Sequence, residues 1–316
     1  MAGERTIVQL KDFEQTEIKG IGFVLQSNTQ IHIVALGGGI EKSAKSFSTG
    51  MYAYGWIIDA ETRSPVWSMD LENTHREKED RKFDDYIPLP AGSYEAYYSA
   101  HAFASQTPFA AYNINIDRRH DLRRDDKGHK KGLFWWLEEL FGGDLNKEWR
   151  RRSKNWGIEI SVDDRASRIS TFTAPREFSH VVLKDTRLGE NEHIHQGMTV
   201  SKPTSIRIYA IGEIVSEDQP ADYGWIVDTK TRKRIWEMEH ERLHHAGGAE
   251  KNVMFDGTVK FPPGEYTLYF HTDDTHSFVD WNAAPPADPF NYGITDRKST
   301  RLNSSHIQKS RMPSSA

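Results

Sequence analysis

The chain has 316 residues, a formal net charge of −5 and no cysteine. The lack of cysteine excludes disulfide frameworks, thiol catalysis and cysteine-bound zinc, and the acidic balance argues against a nucleic-acid partner. No apolar run reaches the roughly 18 residues that a membrane-spanning helix requires, and no signal peptide is visible in the opening MAGERTIVQL. A β-rich chain without a thiol favours export, so we expect a periplasmic or secreted protein.

The first predicted elements are strands. Residues 22–35 alternate apolar and polar side chains around a Ser-Asn pair, which predicts two short strands joined by a turn. The glycine run 37–39 and the segment 42–48 are expected to form a connection into the next element.

A hairpin-like stretch follows and occurs twice, as YGWIIDAETRSPVWSM at 54–69 and YGWIVDTKTRKRIWEM at 223–238. Each copy has a β-branched and aromatic strand, an Asp-started polar turn and a returning strand. The preceding segments 22–38 and 197–213 also match, as do PAGSYEAYY from Pro90 and PPGEYTLYF from Pro262. Repetition in the same order predicts two copies of one domain.

After the first hairpin, residues 72–85 are dense in charge and are expected to form a solvated loop. The Pro-x-Gly-x-Tyr turn that follows must start a strand, because proline presets φ and glycine supplies positive φ. A strand, this turn and an aromatic alternating strand resemble bacterial extracellular β-sandwich accessory modules of the pre-peptidase C-terminal kind. The resemblance implies a β-sandwich and covers about 70 residues of each domain, without the Trp-rich hairpin.

The first copy contains an insertion at about 117–154 with twelve basic and eight acidic residues. Its apolar side chains share one face of a predicted helix that ends at the pair Gly142-Gly143: Leu133, Trp136, Leu137, Leu140 and Phe141. Such a helix could cover its own sandwich. The alternative is a membrane-surface or partner-binding helix, since basic flanks and an aromatic face suit an interface.

In the second copy, His240-Glu241-Arg242-Leu243-His244 matches the HExxH pattern. On an α-helix His240 and His244 would bind zinc, Glu250 could be a third ligand, and Glu241 would act as the general base of a hydrolase. The context argues against this function, because the equivalent stretch of the first copy, 71–75, continues a strand into a loop and lacks the first histidine.

A second polar constellation follows the last long strand. It comprises Asp273, Asp274, His276, Asp280, Trp281 and Asn282. Such a loop is either satisfied by its own hydrogen bonds or binds a ligand. A ligand could be a hard cation such as Ca²⁺, or a sugar or other polar small molecule held by stacking and hydrogen bonds. We expect no cofactor, with Ca²⁺ or Zn²⁺ as the alternative.

The segment from Asp296 to Ala316 back-translates to a common sequencing-library adapter. We therefore expect residues 296–316 not to belong to the protein, the last strand to be cut short after Thr295, and the native chain to continue.

The sequence thus predicts an all-β protein with two tandem β-sandwich, jelly-roll-like domains at 1–165 and 176–295, and one helical insertion in the first. No catalytic residue is expected. The predicted function is a non-enzymatic extracytoplasmic binding or structural module, for a polar small molecule, a glycan or an envelope protein. The alternatives are the zinc hydrolase and the ectodomain of a larger sensor or envelope protein.

Overall fold

The structure, a computed structural model, describes residues 3–14, 17–40, 50–100, 145–166, 168–216, 219–298 and 307–310. The chain divides into two compact units, 1–176 and 177–316. Among the described residues, each unit forms its own ten-stranded antiparallel sheet system. The predicted fold class, two tandem β-sandwich domains in an all-β chain, is confirmed.

The first domain has this element order: β1 (Glu4–Lys11), β2 (Ile18–Leu25), β3 (Thr29–Ile40), β4 (Gly50–Asp59), β5 (Pro65–Ser68), β6 (His75–Glu77), β7 (Asp80–Leu89), β8 (Gly92–Ala100), α1 (Leu145–Ser153), β9 (Gly157–Asp163) and β10 (Ser170–Thr173). The strands follow the order β1-β9-β3-β4-β8-β2-β10, with β7 and β6 beyond β3 and with β5 on β4. The residues between the two predicted domain ranges contribute β10, which pairs with β2.

The second domain continues with β11 (Val181–Thr186), β12 (His193–Val200), β13 (Thr204–Ser216), β14 (Gln219–Asp228), β15 (Arg234–Glu237), β16 (His244–His245), β17 (Asn252–Phe261), β18 (Gly264–His271), β19 (Gly293–Lys298) and β20 (Ile307–Ser310). Its order, β11-β19-β13-β14-β18-β12-β20, repeats that of the first domain strand for strand.

One long strand joins the two layers of each sandwich. The first part of β3 pairs with β7 and β9, and its last residues, 38–40, pair with β4. The crossing brings backbones so close that a Cβ at Gly37 would lie 2.0 Å from the carbonyl oxygen of Ala53, and one at Gly212 would lie 2.0 Å from that of Asp222. The expectation that glycines 37–39 form a connection is therefore wrong, because glycine is what permits the strand to continue here.

The cores lie between the layers. Alternate residues of the long strands point inward, as the period of two requires. In the second domain the core includes Ile206, Ile208, Ala210, Ile226, Phe255, Leu268, Phe270 and Ile294, each no more than 4% exposed.

The predicted hairpins are confirmed as β4–β5 and β14–β15. Both turns place an arginine in the left-handed region, Arg63 at φ 65° and Arg232 at φ 60°. The Pro-x-Gly-x-Tyr turns also agree, since β8 and β18 begin at their glycines. Tyr94 and Tyr266 donate hydroxyl hydrogen bonds of 3.0 and 2.8 Å to the carbonyl oxygens of Pro90 and Pro262.

Three further expectations from the sequence concern the stretch 72–85, the predicted helix face and the C-terminal strand. The charged stretch 72–85 is not a loop, since it contains β6 and the start of β7. Most of its charged side chains lie at or near the surface, whereas Arg81 and Phe83 are buried. The predicted helix face at 133–141 lies outside the described residues, and α1 is the described part of the insertion.

The C-terminal strand runs past Thr295 to Lys298, and the foreign origin of 296–316 stays a prediction.

Candidate carboxylate site

The predicted ligand loop connects β18 to β19 at one end of the second domain. Its members have different environments: His276 and Trp281 are buried, Asp273 is partly buried, and Asp274, Asp280 and Asn282 are exposed. Most of the loop is held by its own hydrogen bonds. Asp273 Oδ1 accepts hydrogen bonds from the backbone N–H of Thr275, at 2.7 Å, and from its hydroxyl, at 2.9 Å.

His276 is the centre of the buried part of this loop. It is fully buried, with Nδ1 3.0 Å from Asn282 Oδ1 and Nε2 2.5 Å from Asn252 Oδ1. Trp281 packs edge-on against His276 and Tyr292, with ring centroids 4.9 Å apart in both pairs. Trp281 is 3% exposed, so in this arrangement its ring packs inside the loop and does not offer a stacking surface to a sugar.

One loop residue belongs to a carboxylate cluster that the sequence analysis did not find. Asp273 lies beside Glu213 of β13 and Asp222 of β14, and one oxygen from each residue lies within 4.8 Å of the other two. Glu213 and Asp222 are 2% and 0% exposed and directly opposite each other in the β13–β14 ladder. The described residues contain no other group of three or more metal-type ligands within this distance.

Hydrogen bonds fix two members of the cluster. Asp222 accepts one from the Tyr292 hydroxyl at Oδ2 and one of 2.8 Å from the Asp273 backbone N–H at Oδ1. Lys251 Nζ lies 2.9 Å from Glu213 Oε1 and donates a 2.7 Å hydrogen bond to Asn282 Oδ1. The second oxygen of Glu213, Oε2, is buried without a hydrogen-bond partner.

The electrostatics of the cluster disfavour its full ionisation. Burial raises the pKa of Asp222 to about 7, against the lowering effect of the hydrogen bonds from Tyr292 and from the Asp273 backbone, and the charges of Glu213 and Asp273 make smaller raising contributions. Burial also raises the pKa of Glu213, against the lowering effect of Lys251. Three carboxyl groups thus share one nearby ammonium, and removing water from them is costly unless a cation compensates.

The same place in the first domain is built differently. The ladders put Gly38 and Ala53 where the second domain has Glu213 and Asp222. Asp80, at the position that Asn252 has in the second domain, accepts hydrogen bonds of 2.8 Å from Arg152 Nε of α1 and 3.1 Å from Trp156 Nε1. The sequence contained a signal for this cluster, because an acid replaces a small residue at both of these positions of the repeat. The matched segments 22–38 and 197–213 already align Gly38 with Glu213.

The HExxH residues are not members of this cluster. His240–Arg242 form a single 3-10 turn, and His244–His245 form β16, which pairs with β17. His240, Glu241, His244 and Glu250 are all exposed. The helical spacing on which the zinc alternative depends is therefore not formed, because the motif continues from a hairpin strand into another strand pair.

No helix among the described residues is long and apolar enough to cross a bilayer.

The comparisons with known proteins add little. No protein-family model and no curated protein matches the chain. Among solved structures, the CUB1-EGF-CUB2 domain of human MASP-1/3 is similar at a TM-score of 0.21 and 8% identity, over 95% of this chain and 100% of that one. At this TM-score the similarity carries no argument, and the resemblance to pre-peptidase C-terminal modules stays a prediction.

Proposed function

We propose that this protein is a non-enzymatic extracytoplasmic binding module whose second domain binds a hard divalent cation of the Ca²⁺ type between Glu213, Asp222 and Asp273. The observation that carries the proposal is the buried, unpartnered Oε2 of Glu213 within a carboxylate cluster. A buried carboxylate oxygen without a partner costs free energy, and a cation would remove that cost.

The dimensions of the cluster suit calcium. Oxygen ligands lie about 2.3–2.6 Å from Ca²⁺, so two ligands on opposite sides of the ion are roughly 4.6–5.2 Å apart. Carboxylate oxygens that all lie within 4.8 Å of one another fit one such coordination sphere. Zinc is a weaker candidate here, because it favours histidine and cysteine ligands and the cluster offers carboxylates alone.

The proposed location agrees with this chemistry. Extracellular calcium modules work at millimolar to submillimolar affinity, which a site of three carboxylates with a competing lysine can reach. A chain of 316 residues without cysteine also suits an oxidising compartment. The partner would then be a polar small molecule, a glycan or an envelope protein, and the ectodomain alternative has the same site.

The test is a titration of the chelator-treated protein with Ca²⁺ by calorimetry, together with Tb³⁺ luminescence. Tb³⁺ in the cluster would be sensitised by Tyr292, which is hydrogen-bonded to Asp222. We expect one ion per chain, and a loss of at least about tenfold in affinity in Glu213→Gln, since this variant removes one of three charged ligands.

The matched control is Asp280→Asn, in the same loop but exposed and outside the cluster. It should bind as the original protein does. Equal binding by all three proteins would place the ion elsewhere, and no binding of Ca²⁺ or Tb³⁺ by the original protein would refute the proposal. A zinc titration with His240→Ala tests the hydrolase alternative alongside.

A further inference from the structure

Two histidines face each other across neighbouring strands of the second domain. His193 of β12 and His271 of β18 are direct partners in the antiparallel ladder. Their rings stack with centroids 4.5 Å apart and planes inclined by 16°, and the two Nδ1 atoms are 3.0 Å apart. His193 is exposed and His271 is partly exposed, so an ion from solvent can reach both.

This pair lies on the outer face of its sheet. Phe270, the neighbour of His271, points into the core, and successive residues of a strand alternate between faces. The same outer face carries Tyr223 and Tyr269, whose backbones pair with His271 and Trp225 respectively. The pair shares no residue with the proposed calcium site and differs from it in ligand type, although Asp273 follows His271 by only two residues.

We propose that His193 and His271 form a two-nitrogen binding site for a borderline transition-metal ion, Cu²⁺, Ni²⁺ or Zn²⁺. Two nitrogens bound to one ion at about 2.0–2.1 Å are separated by roughly 2.9 Å at a right angle and by roughly 3.4 Å at a tetrahedral angle. The observed 3.0 Å lies in this interval. The two rings, whose planes are inclined by 16°, must rotate for both Nδ1 lone pairs to point at one ion.

The sheet fixes the backbones of the two histidines before any ion binds. Both residues are held by the ladder between β12 and β18, which also fixes the separation of their backbones. Imidazole nitrogen prefers Cu²⁺, Ni²⁺ and Zn²⁺ to Ca²⁺, so calcium should not compete. Water would complete the coordination sphere, and the ion would be exchangeable.

The first domain serves as an internal reference. The ladders place Ser99 where the second domain has His271, since Ser99 pairs with Tyr54 as His271 pairs with Tyr223. Ile18, the partner of Ser99 on β2, takes the place of His193. The first domain thus has neither histidine of the pair. We therefore expect the transition-metal ion to bind in the second domain alone.

The experiment is a Cu²⁺ titration of the full chain, followed by calorimetry and by electron paramagnetic resonance. The original protein should bind Cu²⁺, and the resonance spectrum of the bound ion should show nitrogen hyperfine structure from two imidazoles. His193→Gln and His271→Gln should each lose at least about tenfold in affinity and show one imidazole or none. Thermal unfolding of each variant verifies that it is folded.

The matched control is His195→Gln. His195 lies two residues from His193 on the same strand and face, with its ring 6.5 Å from that of Tyr269. Loss of binding in His193→Gln with retention in His195→Gln supports the pair. Equal affinity in all variants, or an equal loss in His195→Gln, would overturn it and leave the 3.0 Å contact as a histidine–histidine hydrogen bond.

Discussion

At the scale of single residues, Asp296 conflicts with its surroundings. Its carboxylate is fully buried, neither oxygen has a hydrogen-bond partner, and burial raises its pKa to about 8. The ladders give its counterpart in the first domain as Ile160, which is equally buried. An acid therefore stands where the fold calls for an aliphatic side chain.

This conflict predicts how stability changes with pH. Between its ordinary pKa of 3.8 and about 8, Asp296 binds more protons in the folded than in the unfolded protein, so the free energy of unfolding falls as pH rises. At about 1.4 kcal/mol per pKa unit, the rise from 3.8 to about 8 corresponds to a total loss of roughly 6 kcal/mol. Asp296→Ile should stabilise the second domain at pH 8 and flatten this decline, as urea unfolding at pH 5 and pH 8 would measure.

Asp296→Asn separates charge from polarity, because it should flatten the decline while giving less stability than isoleucine. Some decline will remain in both variants, because Asp222 titrates in the same direction. A pH dependence unchanged by Asp296→Ile would contradict the assignment of the buried charge.

A buried ion pair at the first hairpin gives a second residue-scale prediction. Arg63 Nη1 lies 2.7 Å from Glu95 Oε1, both side chains are 1% exposed or less, and Tyr97 also donates to Glu95. Arg63→Ala leaves this carboxylate buried with one cation fewer. Removing one partner of a buried pair costs about 3–5 kcal/mol, which chemical denaturation can measure.

The control for this variant is Arg232→Ala, at the same position of the second hairpin. Arg232 has the same left-handed backbone, so the strain of alanine is matched, but its side chain is exposed. Apart from the loss that backbone strain causes in both variants, we expect the free energy of unfolding of Arg232→Ala to change by no more than about 0.5 kcal/mol. Equal losses in the two variants would attribute the effect to backbone conformation.

At the scale of elements, the tyrosines of the Pro-x-Gly-x-Tyr turns stabilise the turn between two strands. Tyr94→Phe and Tyr266→Phe each remove one hydroxyl hydrogen bond to a proline carbonyl. Each should lower the free energy of unfolding by about 1 kcal/mol, measured by urea unfolding. Tyr86→Phe is the control: Tyr86 is 49% exposed, and water can replace its hydrogen bond. A loss in Tyr86→Phe as large as in the other two would contradict this account.

The sequence predicted elements well where the pattern was local or occurred twice. Hairpins and turns followed from residue types at fixed spacing. The errors arose where spatial neighbours decided the outcome: Gly37 is needed because another backbone crosses it, and the charged stretch 72–85 forms strands because Phe83 anchors it to the core.

The candidate site follows the same rule. The loop at 273–282 was predicted from its density of polar groups, but Glu213 and Asp222 lie in strands more than 50 residues away in sequence from Asp273. Only the β13–β14–β18 pairing brings the three together. Burial of Trp281 likewise depends on Tyr292, which arrives from the far end of the loop.

At the scale of the whole molecule, two domains with separate sheets can respond separately to a ligand. All three carboxylates of the proposed calcium site belong to the second unit. Calcium at about 100 times its dissociation constant would stabilise the folded second domain by about 2.7 kcal/mol. For a domain of this size the unfolding midpoint should rise by roughly 10 °C.

Calorimetric unfolding in Ca²⁺ and in chelator should therefore show one transition that moves and one that stays. Arg63→Ala identifies the stationary transition, because it weakens the first domain alone, and Glu213→Gln should remove the shift of the other. If both transitions moved together with calcium, the ion would act on a single cooperative unit that spans the chain. If the shift survived in Glu213→Gln, the ion would bind outside the carboxylate cluster.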